Sequence, residues 1–147
     1  MSYVYYNPNP DNEDDIDCVV RAICKLMNLD WEEAYMDICI EGLYMHRIPI
    51  GNSVWASFLL KNGYTMHKIP DTCPYCYTVK DFCVDHPYGR YLLGVVVNHP
   101  YRFNTMDSGR QITSNHAVTV VDGNYYDAWN SGGEVPLYYW SKERRRL

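Results

Sequence analysis

The sequence lacks the features that would assign it to a membrane, to a secretory route or to nucleic acid. No apolar run approaches the roughly 18 residues of a membrane-spanning helix, and the N-terminus lacks the basic-then-apolar pattern of a signal peptide. Positive charge is scarce, since the formal net charge is −5, and no basic stripe indicates nucleic-acid binding. We therefore expect a cytoplasmic protein that has neither a membrane nor a nucleic acid as its partner.

Six cysteines are present, and the expected location decides how they are interpreted. In a reducing compartment, cysteines are more often free, metal-bound or catalytic than paired in disulfides. The 147 residues are enough for one domain whose core needs no covalent staple. Thiol chemistry or metal binding is therefore the use to examine.

Periodicity predicts an α+β protein, with helices first and an antiparallel sheet after them. Residues 1–16 are predicted to be an extended N-terminal segment. Asp17, Asp30 and Thr78 are predicted helix N-caps. The predicted helices cover residues 18–27, 31–44 and 53–62, and a short helix lies between Thr78 and Pro87. The predicted strands cover residues 64–69, 91–97, 116–121, 125–129 and 135–140.

Two polar segments remain outside these elements within the single predicted domain, residues 1–147. Residues 98–115 form a long loop, and a loop of more than about 12–15 residues in a compact domain is usually either functional or disordered. Residues 141–147 form a basic tail, for which solvation is the simplest interpretation.

Cys18, His116 and Asn130 occur in the arrangement of a thiol-based catalytic site. Cys18 is the first residue of a predicted helix, and a helix N-terminus favours a thiolate. His116 opens a predicted strand and can take the thiol proton. A third polar side chain is needed to fix the tautomer and tilt of the histidine ring.

The predicted hairpin that follows His116 indicates which polar side chain meets it. A turn centred near Gly123 pairs residues whose numbers sum to about 246–247. This register places His116 opposite Asn130 or Ser131, so Asn130 is the predicted acceptor for the Nδ1 proton. Asp127 is the second choice of acceptor, because in this register it would lie further along the strand from His116. A slip of one residue would reverse the face that each side chain presents.

The segment Asp-Cys-Val-Val-Arg-Ala-Ile at residues 17–23 resembles the Asp-Cys-Val-x-Arg-Ala-hydrophobic motif of small papain-fold proteins found in phages and gut bacteria. Residues 125–132, which come after the His strand and an Asp-Gly turn, and residues 78–91 are similar to the same group. The resemblance extends over about residues 7–140. It implies a papain-like fold with Cys18 as nucleophile, His116 as base and Asn130 as orienting residue.

The resemblance also implies an oxyanion donor, because papain-like enzymes place an amide side chain shortly before the cysteine. Asn12 takes this role, with Asn7 or Asn9 as alternatives, and the Cys18 backbone N–H is a second donor. Trp129 either shields the Asn130–His116 contact from water or packs in the core.

The function that the resemblance implies is a thiol hydrolase that cleaves a peptide or isopeptide amide through an acyl-enzyme. Its partner would be a peptide or protein substrate, no cofactor is required, and a phage-encoded enzyme would act in the host-cell cytoplasm. Two alternatives remain open. The same triad serves acyl transfer, and a non-catalytic papain-fold protein of a phage or mobile element could sequester a host protein or a small molecule.

A second group of residues suggests a metal. The CPYC sequence at 73–76 is the glutaredoxin tetrapeptide, but the strand and the long helix of a redox site do not surround it. The spacing C-x2-C-x6-C-x2-H suits a tetrahedral zinc ion, and its ligands would be Cys73, Cys76, Cys83 and His86. Alternatively, Cys83 packs as a small hydrophobic residue and His86 caps a helix C-terminus.

Overall fold

The structure of the protein, a computed structural model, describes residues 2–13, 16–70, 72, 75–97 and 114–142. Within these ranges the chain forms four α-helices and six β-strands. The helices are α1 (Cys18–Met27), α2 (Trp31–Met45), α3 (Asn52–Lys61) and α4 (Val79–Asp85). The strands are β1 (Tyr3–Tyr5), β2 (Tyr64–Lys68), β3 (Arg90–Val96), β4 (His116–Val121), β5 (Asn124–Asp127) and β6 (Val135–Lys142). The prediction of an α+β protein is confirmed.

All six strands belong to one mixed sheet with the order β1-β5-β4-β3-β6-β2. The four pairs that join β2, β6, β3, β4 and β5 are antiparallel, whereas β1 is parallel to β5. The predicted antiparallel sheet is therefore extended at one edge by a parallel strand from the N-terminus.

The two ends of the described chain differ from the sequence expectation. The sequence predicts an extended segment without a strand at residues 1–16, but Tyr3–Tyr5 pairs with β5. A three-residue edge strand is too short to produce a readable alternation, which explains why the pattern does not reveal it. At the other end, β6 continues through Lys142, so the first two residues of the predicted tail at 141–147 are in the sheet. Residues 143–147, and residues 98–113 of the predicted loop, lie outside the described residues.

Two of the predicted helix starts have the predicted caps. The Asp30 side chain accepts a hydrogen bond from the Glu33 backbone N–H (2.9 Å) at the start of α2. Thr78 and Asp81 form a reciprocal capping box at the start of α4. Local side-chain chemistry thus fixes where both helices begin.

Helices cover both faces of the sheet and create two cores. The larger core packs α1, α2 and α3 on one face, with Ile23 and Trp55 fully buried in it. The smaller core packs α4 on the other face, around Phe82 and Val118. No helix within the described ranges combines the length and apolar character that crossing a membrane requires.

Helix α1 lies along β4, and this contact positions the start of both elements. The Thr119 hydroxyl on β4 donates a buried hydrogen bond to the Ala22 carbonyl oxygen on α1 (2.6 Å). Cys18 is one helical turn before Ala22, and His116 is three residues before Thr119. The first residues of α1 and β4 therefore meet at one edge of the larger core.

Gly94 on β3 permits a close approach that a larger residue would prevent. A Cβ at this position would lie 2.3 Å from the Tyr138 ring, and the Tyr138 hydroxyl is hydrogen-bonded to Ser114 (2.6 Å). We expect Gly94→Ala to reduce the free energy of unfolding by about 1–3 kcal/mol, as overpacking does, in urea denaturation followed by circular dichroism. Gly133→Ala is the matched control, because a Cβ there meets nothing within 4 Å. Equal losses for the two variants would contradict the argument.

Candidate active site

Helix α1 begins with its N-terminal N–H groups uncapped by a side chain. Asp17 occupies the N-cap position but makes no capping hydrogen bond. Its carboxylate instead forms an ion pair with Arg21 and accepts a hydrogen bond from the Trp31 indole (3.0 Å). No capping side chain therefore neutralises the partial positive charge at this helix end, where Cys18 is the first residue.

Cys18 and His116 are in contact, as their positions in the sequence predict. Both side chains line the same cleft, and the His116 ring and the Ala117 backbone N–H stabilise the thiolate form of Cys18. Burial by itself raises the pKa of Cys18. The hydrogen bond and charge of His116, the Ala117 N–H and the charge of Arg21 outweigh burial and bring the thiol pKa below its usual value of 9.0.

The histidine has the complementary shift. His116 is buried, which by itself lowers the pKa of an imidazole, but the hydrogen bonds and charges of Asp127 and Cys18 raise the pKa of His116 to about 9. The bond to Asp127 joins His116 Nε2 and Asp127 Oδ2 at 2.6 Å. Because Nε2 is occupied, Nδ1 is the nitrogen that remains for the thiol. A lowered thiol pKa and a raised imidazole pKa favour a thiolate–imidazolium pair.

The partner of His116 is Asp127 rather than Asn130, which corrects the first choice made from the sequence. The observed pairs, Thr119 with Tyr126 and Val120 with Tyr125, follow a register shifted from the predicted one. The turn is a tight two-residue Asp-Gly turn, and the continued register places Asp127 on the same face of the sheet as His116, as its diagonal neighbour. The alternative named from the sequence is the one that the geometry supports.

Asn130 has a different task, in the turn after β5. Its side-chain oxygen accepts hydrogen bonds from the Tyr125 hydroxyl (2.6 Å) and from the Gly132 backbone N–H (3.1 Å). These bonds hold the turn against the smaller core. The Asn130 side-chain oxygen therefore supports the backbone that comes after Asp127, and the carboxylate of Asp127 is the group bonded to His116.

Asp127 is itself held by several groups. Oδ2 accepts a hydrogen bond from the Ser131 hydroxyl (2.7 Å), and Oδ1 accepts one from the Ala128 backbone N–H (2.8 Å). Arg21 Nη2 lies 3.6 Å from Oδ1. The carboxylate is buried, and these contacts fix its orientation toward His116.

Arg21 and Ser131 are site residues that sequence reasoning did not assign. Arg21 is only 4% exposed and lies between two carboxylates, those of Asp17 and Asp127. The available signal was an arginine on a helix whose neighbours at 19, 20, 22, 23 and 24 are all apolar, because a buried arginine requires an acidic partner. For Ser131 the sequence held no comparable signal.

The thiol lies in a cleft of ≈ 520 Å³. Trp129 forms part of its wall, with its ring centroid 4.9 Å from that of His116. Trp129 thus lies beside the His116 ring and is 36% exposed, so it is not a core residue. The side chains of Ile16 and Ile50, which are 77% and 44% exposed, form apolar parts of the rim.

The predicted oxyanion donor Asn12 does not line this cleft. It is exposed, has a left-handed backbone conformation (φ 55°), and accepts a hydrogen bond from the Tyr5 hydroxyl (3.3 Å). Asn7 is used in local turn bonds of the N-terminal segment. The Asn9 side-chain oxygen makes a turn bond as well, and the Asn9 side-chain N–H donates to the Asp17 carboxylate (3.4 Å), next to Cys18. Counting residues back from Cys18 could not show where the Asn12 side chain lies, because the chain turns between Asn9 and Asn12.

The side-chain amide of Asn52, which lines the cleft, is held by hydrogen bonds within the cleft wall. Asn52 donates to the Ser114 carbonyl oxygen (3.0 Å) and accepts from the Trp55 indole (3.1 Å), which uses both ends of its amide. Asn115, a second amide of the cleft, bonds to the Val97 backbone, and the Cys18 backbone N–H lies at the uncapped start of α1.

The predicted zinc ligands are not assembled among the described residues. Cys83 is buried in the smaller core at 1% exposure. His86 stacks on Phe82 with a centroid distance of 3.8 Å, and its Nδ1 lies 3.0 Å from the Phe82 carbonyl oxygen. Cys76 is half-buried, and Cys73 lies outside the described residues. No group of three or more metal-ligating side chains occurs in the described part of the chain, and packing and helix termination account for Cys83 and His86.

Comparison of the chain with protein-family models, with curated proteins and with solved structures found no match. The function of the protein is therefore inferred from the geometry of the cleft.

The Asp127–His116 bond predicts how Cys18 reacts with iodoacetamide. In the unaltered protein the rate should rise at a lower pH than for an ordinary cysteine, because the pKa of the Cys18 thiol is lowered and the pKa of His116 is raised. Asp127→Asn removes the charge that stabilises imidazolium, so the Cys18 titration should move to higher pH. The neutral-pH rate should fall about 10-fold or more, as expected for a lost charge-assisted hydrogen bond.

Asn130→Ala is the comparison variant for this experiment. It should leave the pH at which Cys18 titrates unchanged, because the carboxylate of Asp127 is the group bonded to His116. Cys24 and Cys83 should label slowly throughout, since burial raises the pKa of these thiols to about 12 and about 11. If Asn130→Ala moved the titration and Asp127→Asn did not, the assignment of Asp127 would be wrong.

The buried guanidinium predicts a large stability effect. Arg21→Met leaves Asp17 and Asp127 buried without their cation, and we expect a loss of about 3–5 kcal/mol in the free energy of unfolding. The double variant Asp17→Asn/Arg21→Met should recover part of this loss, because one of the uncompensated charges is then absent. Urea denaturation measures both. A loss below about 1 kcal/mol for Arg21→Met would show that the ion pairs do not stabilise the fold.

Proposed function

We propose that this protein is a cysteine hydrolase with a papain-like arrangement, in which Cys18, His116 and Asp127 are the catalytic triad. The observation that carries the proposal is the buried chain of contacts from the Cys18 thiol through His116 to Asp127, at the open end of a helix and inside a cleft. A purely structural cysteine has no need of a partner that lowers its pKa.

The arrangement of the surrounding elements supports the papain-like assignment. The nucleophile is the first residue of a helix that packs on a largely antiparallel sheet, and the histidine opens a neighbouring strand of that sheet. The third residue comes from the next strand. The departure is the third residue itself, because a carboxylate replaces the asparagine that the resemblance implied.

The reaction would begin from the ion pair. The Cys18 thiolate attacks the carbonyl carbon of an amide, a C–S bond forms, and the carbonyl electrons move to oxygen. The Cys18 backbone N–H and the positive end of α1 stabilise that oxyanion. When the C–N bond breaks, the imidazolium of His116 gives its proton to the leaving amine, which leaves a thioester on Cys18.

Water completes the cycle. His116, now neutral, takes a proton from water as the oxygen attacks the thioester, and the C–S bond breaks. A carboxylic acid leaves, and the thiolate–imidazolium pair is restored. Asp127 keeps the ring of His116 in one orientation through both steps, and Trp129 covers the ring.

The substrate class that fits the cleft is a peptide or isopeptide amide. The walls next to the thiol combine apolar side chains of Ile16, Ile50 and Trp129 with backbone at Gly51. An extended peptide with apolar residues near the cleaved bond matches such a surface.

A p-nitrophenyl ester and a library of fluorogenic peptide amides provide the test. We expect a burst of one nitrophenol per protein, with the acyl group on Cys18 in the intact and digested masses, and turnover of a subset of the amides. Cys18→Ala should abolish both signals, and His116→Ala should lower the acylation rate about 10²–10⁴-fold. Cys39→Ser is the matched control, since Cys39 lies on α2 and does not line the cleft, and it should behave as the unaltered protein does.

The outcome also separates the two other classes. If Cys18 is acylated but the acyl group passes to an added amine in preference to water, the activity is acyl transfer. If Cys18 is neither acylated by the ester nor alkylated faster than Cys39, the hydrolase proposal fails, and a binding protein on this scaffold becomes the better hypothesis.

A further inference from the structure

Helix α2 carries apolar side chains on its inner and its outer side, and in the described part of the chain the outer ones are exposed. Its inner side is formed by Ala34, Ile38 and Gly42, which are buried. The outer side presents Met36, Ile40, Leu43 and Tyr44, which are 54%, 56%, 75% and 80% exposed. We call these four residues the α2 stripe.

The spacing of the α2 stripe, i, i+4, i+7 and i+8, places its members on one continuous face of the helix. A helix that is apolar all round is normally buried, and a contiguous exposed apolar surface usually marks a protein–protein contact. Tyr35 extends the surface at its edge, where its ring stacks on Trp31 at 4.9 Å.

The charges at the two ends of the stripe indicate what covers it. Glu32 and Glu33 lie in the first turn of α2, and both are exposed. His46 and Arg47 come after the last turn, and both are exposed. The outer side therefore begins with acidic residues and has an apolar centre with the half-buried Asp37 beside it. Arg47, which donates a hydrogen bond to the Ser53 hydroxyl (3.0 Å), follows the end of the helix, so the two ends carry opposite charges.

The α2 helix of a second copy, in the antiparallel orientation, would place an end of opposite charge beside each end of this helix. A two-fold axis near Ile40 would place Met36 of one copy beside Tyr44 of the other, and Glu33 beside Arg47, each contact occurring twice. The macrodipoles of two antiparallel helices also attract one another. In a parallel arrangement the acidic ends would meet and repel.

We propose that α2 is the interface of an antiparallel homodimer, with the α2 stripe at its centre and Glu33–Arg47 pairs at both ends. The interface is independent of the chemistry at Cys18, because it uses the outer side of α2 and no residue of the triad. Its occupant is another copy of this chain rather than an unrelated protein.

Analytical ultracentrifugation over a range of protein concentrations tests the proposal. The unaltered protein should sediment as a dimer that dissociates on dilution, and Ile40→Asp should be monomeric at every concentration. Val84→Asp is the matched control, because Val84 is a 60% exposed apolar residue on α4, on the other side of the sheet from α2. The Val84→Asp variant should remain a dimer. Met36→Lys provides a second interface variant, and circular dichroism with Cys18 alkylation shows that each variant is folded.

A charge-reversal cycle tests the orientation. Glu33→Arg and Arg47→Glu should each raise the dissociation constant about 5-fold, since each change affects two exposed ion pairs. The double variant Glu33→Arg/Arg47→Glu should return it to the original value, because the pairs form again with reversed sign. This rescue is specific for self-association.

Three results would overturn the proposal. One is a monomer at all concentrations, which would leave the stripe for a different protein. Another is a dimer that survives both Ile40→Asp and Met36→Lys, which would place the interface elsewhere. The last is a double charge reversal that is no better than the single ones, which would exclude the antiparallel register.

Discussion

The guanidinium of Arg21 is the interaction on which the rest of the site depends. It is buried between Asp17 and Asp127, and Asp127 in turn holds His116 against Cys18. Burying charges costs several kcal/mol for each ion unless they are paired with good geometry. The alternation of negative and positive groups along this chain of contacts is what allows a thiolate and an imidazolium to lie inside the protein. Stability and reactivity are therefore linked at one side chain.

Helix geometry explains why Cys18 and Arg21 belong to the same short motif. Asp17 and Arg21 are one turn apart, so their side chains meet on the same side of α1. Cys18 comes directly after Asp17 and is the first residue of the helix, so the ion pair that anchors the helix start also sets the position of the thiol. Because Asp17 uses its carboxylate to bind Arg21 and Trp31, it leaves the first N–H groups of α1 without a side-chain cap.

The sequence predicted the elements well and the contacts between them unevenly. The bounds of α1 and the caps of α2 and α4 follow from local patterns and are observed. Cys18 and His116 were paired because of their residue types, their order and the family resemblance, and both line one cleft. The choice between Asn130 and Asp127 depended on a hairpin register, where a shift of one or two residues changes which side chain faces His116. The prediction of Asn12 as oxyanion donor was wrong for a related reason, since its distance from Cys18 along the sequence does not reveal the turn at residues 9–12.

The carboxylate at position 127 changes the chemistry less than its charge suggests. A neutral amide would orient His116 without stabilising its charged form, whereas an isolated buried carboxylate would stabilise imidazolium so strongly that it became a poor proton donor to the leaving group. Arg21 lies 3.6 Å from Asp127 Oδ1 and offsets part of that negative charge. The same guanidinium helps to lower the pKa of Cys18 directly. Arg21 and Asp127 thus act as a pair that fixes the ring and favours the thiolate, and in the proposed hydrolase they would keep the proton on His116 available for transfer.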